Sequence, residues 1–309
     1  MNDAHIERLP YRQAWIDQAR QHPLTTFGLA MAALCVLWLL GHSLVSVSRG
    51  EASLNLLHGL MAGGAGFAAT ALGAASGWLL RDLRARTEDT MLGFAAGMML
   101  AASSFSLILP GIEAARGMTD SGAMAALVVV AGLGLGVLLM LGLDEFTPHE
   151  HASTGPCGPA VARVNRVWLF VLAITLHNLP EGMAMGVSFS QGDLSVGLPL
   201  STAIAIQDIP EGLAVVMALR AAGMSSGRAV LLAAASGLME PLGALLGVGL
   251  AGGFALAYPL GLGLAAGAMI FVVSHEVIPE THRNGHQTPA TLGLMAGFAL
   301  MMVLDTALG

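Results

Sequence analysis

Two stretches of this chain repeat one polar pattern inside apolar surroundings: HNLPEG from His177 to Gly182, and QDIPEG from Gln207 to Gly212. His177 and Glu181 stand four residues apart and so share a helix face, with Asn178 about 100° around the helix. Gln207, Asp208 and Glu211 repeat the arrangement. Pro180 and Pro210 have no backbone N–H, so the carbonyls of Leu176 and Ile206, four residues back, lose their helical donor. A further acid, Glu240, is followed by Pro241. Carboxylates, amides and an imidazole in this pattern are cation ligands. Two divalent ions would balance Glu181, Asp208, Glu211 and Glu240, with neutral His177 completing the shell. Imidazole with carboxylates suits first-row ions such as zinc, whereas an all-oxygen set suits magnesium or calcium.

The elements that must carry these residues are membrane helices. The chain of 309 residues is 55% hydrophobic and only 11% charged, with a mean hydropathy of +0.72. Its polar residues gather between long apolar runs instead of alternating with them, which predicts helices and excludes a barrel. Runs of roughly 20 apolar residues occur at Thr25–Leu44, Leu54–Leu80, Thr90–Ala114, Gly122–Leu143, Val167–Phe189, Leu194–Leu219, Gly227–Gly249, Leu256–Ile278 and Thr291–Leu308. The fold class expected is therefore an all-α polytopic membrane protein. Residues 1–24 form a polar leading segment, and residues 25–44 read as a retained helix, because no small-residue cleavage site follows them. Cys35 and Cys157 suggest neither a disulfide nor a metal pair. At roughly 3 kcal/mol per central charge, four ionised carboxylates cost on the order of 10 kcal/mol in the bilayer. They need cations or protons.

All thirteen basic residues besides histidine are arginine. With the amino end in the cytoplasm, eleven of them face inside and only Arg49 and Arg116 face outside, which is the positive-inside pattern. The carboxyl end is then outside, periplasmic if the chain sits in a bacterial inner membrane. The chain also repeats itself in order. AAGMMLAASSFSLILP from Ala95 matches AAGAMIFVVSHEVIP from Ala265, GLMAGGAG from Gly59 matches GLMEPLGA from Gly237, and LLMLGLDEF matches ALMMVLDTA. An odd number of spans separates the copies, so each pair runs in opposite senses. This is the inverted repeat of carriers, whose substrate site lies near the midplane. The pattern is three spans, a central pair carrying the two motifs, and three more, with the first run outside the symmetry.

Topology also places the ends of a path. Asp89, Asp144, His275 and Glu276 fall near the cytoplasm, and residues 144–166 form a cytoplasmic loop adding His149, Glu150 and His151. Together they make an acceptor cluster for released metal. Glu113 and Asp305 end at the outer face, where acids attract incoming cations.

HNLPEG, QDIPEG, GLMEP and SHEVIPET together resemble the ZIP (Zrt/Irt-like) family of divalent-metal transporters, in its bacterial branch. The resemblance covers residues 54–308. It implies a homodimeric importer of zinc, and also of cadmium, iron or manganese, in which metal is substrate and no cofactor is needed. It implies eight core helices, of which the first, fourth, fifth and sixth move with the metal and the others form a scaffold. By motif, one ion would take His177, Glu181, Gln207 and Glu211, and a second Asn178, Asp208 and Glu240 with the shared glutamates. Met99, which the sequence alone reads as core packing, falls at a family ligand position. Gln207 departs from the family, where many members have His. The partners expected are divalent ions, lipid and a second copy of the chain, with no nucleic acid. Two rival classes stand beside this one. An intramembrane zinc protease would need H-E-x-x-H, and here Asn follows His177. A proton-coupled organic-solute carrier could also bury carboxylates beside prolines.

Overall fold

A computed structural model describes residues 11–48, 53–80, 84–147, 149–151, 155–157, 166–221, 223–251 and 254–308. Among these residues the helices are α1 (Tyr11–Gln21), α2 (Pro23–Ser48), α3 (Ser53–Ser76), α4 (Ala85–Arg116), α5 (Gly122–Phe146), α6 (Arg166–Phe189), α7 (Leu194–Ala221), α8 (Ser226–Ala251), α9 (Ala257–His282) and α10 (Gln287–Leu308). Helices α2 to α10 coincide with the nine apolar runs, so the chain is an all-α polytopic membrane protein. Over the described residues, seven of these helices are long and apolar enough to cross a bilayer.

Three features depart from the simple runs. The polar leading segment contains α1, which docks on the end of α5. Gln18 Nε2 donates to Glu145 Oε1 at 2.6 Å, His22 Nε2 lies 3.2 Å from the same oxygen, and Trp15 stacks on Phe146. The loop after α5 holds a small ribbon, β1 (His149–His151) paired antiparallel with β2 (Gly155–Cys157). Lastly, three of the long helices are interrupted. In α4 a wide turn spans Ser103–Ile108, where the N–H of Leu109 reaches five residues back to Ser104 O. In α9 the same turn spans Val273–Val277, and Ile278 N–H reaches Val273 O. Each wide turn ends two residues before a proline, Pro110 or Pro279, whose ring would strike the carbonyl four residues back in a regular helix. α8 breaks at Gly237 and Leu238, ahead of Pro241, so Glu240 lies in the first turn of the half-helix Met239–Ala251.

The packing respects the internal repeat. α4 pairs with α10 and α9 with α5; α6 pairs with α8 and α7 with α3. Exchanging the first three core helices for the last three, and α6 for α7, maps this scheme onto itself. The two wide turns exchange as well. Glycines make the pairs close. A Cβ on Gly93 or Gly97 would strike the backbone of Ala290 or Leu294, and one on Gly293 or Gly297 would strike that of Thr90 or Phe94. Gly132, Gly136, Gly263 and Gly267 do the same between α5 and α9, Gly182, Gly186, Gly243 and Gly247 between α6 and α8, and Gly73 and Gly212 between α3 and α7. Small residues that let backbones touch are the main source of helix association in lipid, where apolar burial alone gives no drive.

This packing is testable at two glycines of similar sequence context. Gly97→Val must force α4 and α10 apart and should lower the thermal midpoint of the purified protein by several degrees, as overpacking costs about 1–3 kcal/mol or more. Gly134 has open space around it, so Gly134→Val should leave the midpoint unchanged. Equal midpoints for the two variants would contradict the close α4–α10 contact.

Candidate metal centre

Helices α6, α7 and α8 bring the two motifs and Glu240 together against α3. His177, Asn178, Glu181, Gln207, Asp208 and Glu240 are buried and Glu211 is half-buried. Glu181, Asp208 and Glu211 each offer an oxygen within 4.8 Å of the others. Gln207 Nε2 donates to Glu181 Oε1 at 2.7 Å. The carboxyl groups of Asp208 and Glu240 stand close together. Thr70 Oγ1, from α3, donates to Glu240 Oε1 at 2.6 Å. Asn178 Nδ2 lies 3.5 Å from Ser236 Oγ, which itself donates to Ala233 O beside the break in α8.

The break gives Glu240 its place. Its carboxylate sits in the first turn of a half-helix, where unpaired N–H groups favour negative charge. Gly66 leaves the space that Glu240 Oε2 occupies; a Cβ there would overlap it. Gly182, directly after Glu181, lets α6 press onto the backbone of Glu240 itself.

Five buried oxygens of this cluster have no hydrogen-bond partner: Glu181 Oε2, Gln207 Oε1, Asp208 Oδ2, Glu211 Oε2 and Glu240 Oε2. Buried polar atoms are almost always satisfied in native proteins, and a group of exceptions calls for an ion or a proton. All five are acceptors, four of them carboxylate oxygens. An anion is excluded by their charge, and a cation is the complement.

A second set of acids and histidines extends the cluster to one end of the bundle. His177 Nε2 lies 3.4 Å from Glu276 Oε2, on the wide turn of α9. Beside Glu276 in the chain, His275 places Nε2 3.7 Å from Asp144 Oδ2 at the end of α5. Glu276 thus touches the central site through His177 and does not stand apart from it. Asp89 is buried, with Asn284 Nδ2 donating to one oxygen at 3.0 Å and His286 Nδ1 at 2.7 Å from the other. His149 and His151 belong to β1, and their side chains lie outside the described structure. At the other end Glu113 is exposed, while Asp305 Oδ1 accepts from Ser106 Oγ at 2.6 Å. Met99 is buried in the apolar cluster that includes Met98, Ala203, Ile204 and Met269.

Sequence reasoning missed the supporting groups. Thr70 is the one hydroxyl in the run of Gly, Ala, Leu and Phe from Leu60 to Ala75, a signal that was available. Ser236, Asn284 and His286 gave none, since their partners lie 58 to 197 residues away in the chain.

Comparison with known proteins shows the family of the chain. The family model described as ZIP zinc transporter matches residues 144–305. The chain is 69% identical, over the full length of both, to a protein of Bordetella bronchiseptica named zinc transporter ZIPB. It is 45% identical to zinc transporter GufA of Myxococcus xanthus, over 82% of this chain and 99% of that one. To human zinc transporter ZIP11 it is 33% identical, over 78% of this chain and 94% of the human one. With HNLPEG and QDIPEG converging on one buried acid cluster, and relatives matched through both motifs, the chain belongs to the ZIP zinc transporter family.

Proposed function

We propose that this protein imports divalent transition-metal ions, zinc foremost and also cadmium, iron or manganese, through two adjacent mid-membrane sites by alternating access. The observation that carries this reading is the set of five partnerless buried oxygens, with the buried His177 imidazole on the same cluster. One ion is held by His177, Glu181, Gln207 and Glu211. The other is held by Asn178, Asp208 and Glu240 with the glutamates between, and Met99 is a further candidate on α4. The arrangement carries metal and does no covalent chemistry, so the protein acts as a transporter and not an enzyme. The chain sits in the bacterial inner membrane as a homodimer, with its amino end in the cytoplasm and its carboxyl end outside. Metal attracted past Glu113 and Asp305 leaves by His177, Glu276, His275 and Asp144, toward Asp89 and the His149–His151 ribbon.

The packing supports a carrier with a moving part. Within the group α3, α6, α7 and α8, and within the group α4, α5, α9 and α10, backbones meet at glycines. Between the groups the described contacts are largely apolar side chains, among them Met98, Met185, Ile204, Leu262 and Met269, and His177 meets Glu276 across the same boundary. Backbone against backbone locks; a seam of apolar side chains rich in methionine can slide and re-pack. The metal ligands of both motifs and Glu240 all belong to the first group.

Zinc uptake into sealed vesicles holding the purified protein tests the reading. Wild type should accumulate zinc. Glu181→Ala and Glu211→Ala should each lose at least about tenfold of the rate, as expected when a ligand that sets the site is removed, while remaining folded by elution profile and thermal midpoint. Normal uptake by a well-folded Glu181→Ala variant would exclude the central site.

Selectivity gives an independent check at Gln207. Replacing its amide oxygen by imidazole nitrogen, in Gln207→His, should favour zinc over manganese or iron, following donor softness and the affinity order of divalent ions. Competition uptake measures this directly. An unchanged profile would mean that Gln207 acts only by holding Glu181 and is no ligand.

A further inference from the structure

Glu240 meets α3 in a cradle that the metal motifs do not supply. Thr70 and Gly66 lie one helical turn apart on the same face of α3. Thr70 donates its hydroxyl to Oε1 at 2.6 Å, and Gly66 leaves the room that Oε2 fills. Both Thr70 and Glu240 are buried, which shields the hydroxyl from water. Thr70 is itself fixed from two sides. Its carbonyl abuts Gly212, the residue after Glu211, and its side chain packs on Gly237 at the break of α8. The carboxylate of Glu240 therefore cannot turn freely. One oxygen is engaged and the other is open.

That asymmetry has a consequence for coordination. A carboxylate binds a cation through one oxygen or through both. Zinc is satisfied by four ligands with short bonds, and one carboxylate oxygen serves it well. Manganese is at home with six oxygens, and large divalent ions take carboxylates in the two-oxygen mode to reach high coordination numbers. A hydroxyl that occupies Oε1 penalises the two-oxygen mode. We infer that Thr70 is a positioning residue that holds Glu240 to one-oxygen binding and so biases the site toward zinc over larger, higher-coordinate divalent ions. The inference rests on the proposal that Glu240 is a ligand of the transported metal.

Two substitutions separate the hydroxyl from the shape. Thr70→Val keeps the branched outline and removes the donor, and Thr70→Ser keeps the donor. Purified wild type and variants are dialysed to equilibrium against mixtures of zinc and manganese, and of zinc and cadmium, and bound metal is counted by mass spectrometry. The same proteins in sealed vesicles are assayed for competitive uptake. Thr70→Val should lower the bound zinc-to-manganese ratio at least about fivefold and raise the share of cadmium, while Thr70→Ser stays within about twofold of wild type. X-ray absorption at the zinc edge should show more oxygen neighbours, at longer mean distance, in Thr70→Val than in Thr70→Ser.

An unchanged ratio in Thr70→Val overturns the inference. So does an equal loss of all metals in both variants, which marks Thr70 as structural support alone. If Thr70→Val does not yield folded protein, Thr70→Ala removes the same donor and is judged by the same criteria. The dialysis arm keeps this test apart from the proposed function. Wild type that binds zinc but carries none defeats transport and leaves the Thr70 comparison intact, whereas wild type that binds no zinc defeats the central site itself.

Discussion

The structure depends on one constraint, which is that four carboxylates must sit close together in the middle of an apolar bundle. Each is expensive there unless a neighbour or an ion answers it. The surroundings of Glu181, Asp208, Glu211 and Glu240 follow from that cost. Gln207 gives its amide N–H to Glu181, Thr70 gives its hydroxyl to Glu240, and the break at Gly237 sets Glu240 at the head of a half-helix. Gly66 and Gly182 are bare because the carboxylate and the backbone of Glu240 stand where their side chains would be. Enough donors are present to fix the acids in place, and too few to satisfy them. The remaining oxygens have no hydrogen-bond partner among the described residues.

The same economy of side chains separates two kinds of helix contact. Glycine faces fasten α3 to α7 and α6 to α8, and likewise α4 to α10 and α5 to α9. The contacts between these two groups are made mostly by methionine, leucine, isoleucine and valine side chains, with Gly261 facing the side chains of Ala251 and Val187 and with His177 beside Glu276. A repeat that exchanges its halves produces this division without further design. Each tight pair is copied into another pair by the exchange, and the seam is what lies between the copies.

Much of this was legible in the sequence, because in a membrane protein hydropathy and fold are nearly the same information. Nine apolar runs became nine helices, and the repeated HNLPEG and QDIPEG placed their acids together because i and i+4 share a face. Other features were hidden for definite reasons. The wide turns in α4 and α9 leave the run of apolar residues unbroken, and only the prolines two residues beyond them, Pro110 and Pro279, hint at an extra residue per turn. α1 is polar and short, and its order comes from Glu145 and Phe146 more than 120 residues away. The pairing of Thr70 with Glu240 joins helices 170 residues apart. Pattern reading finds the residues that bear charge; it does not find the neutral residue that aims them.

The leading helices α1 and α2 stand outside the repeat, and their contacts are unequal along their length. Near their polar end their described contacts are with α5. Gln18 and His22 reach Glu145, Gly28 faces Leu138, and Leu29 fills the space beside Gly142. Further along, Val36 packs with Met183 and Leu250 of the group α3, α6, α7 and α8 and with Ala257 and Leu264 of the other, and Trp38 meets Phe254 edge-on. α2 is therefore anchored to one group and rests across the seam. Any displacement of α6 and α8 past α9 must re-pack Val36 and Trp38 while Leu29 stays on Gly142. The polar lock at Glu145 is next to Asp144, which pairs with His275, so the anchor of the outlying helices and the contact of α5 with the wide turn of α9 share one helix end. What holds α2 in place therefore adjoins the residues that join α5 to α9.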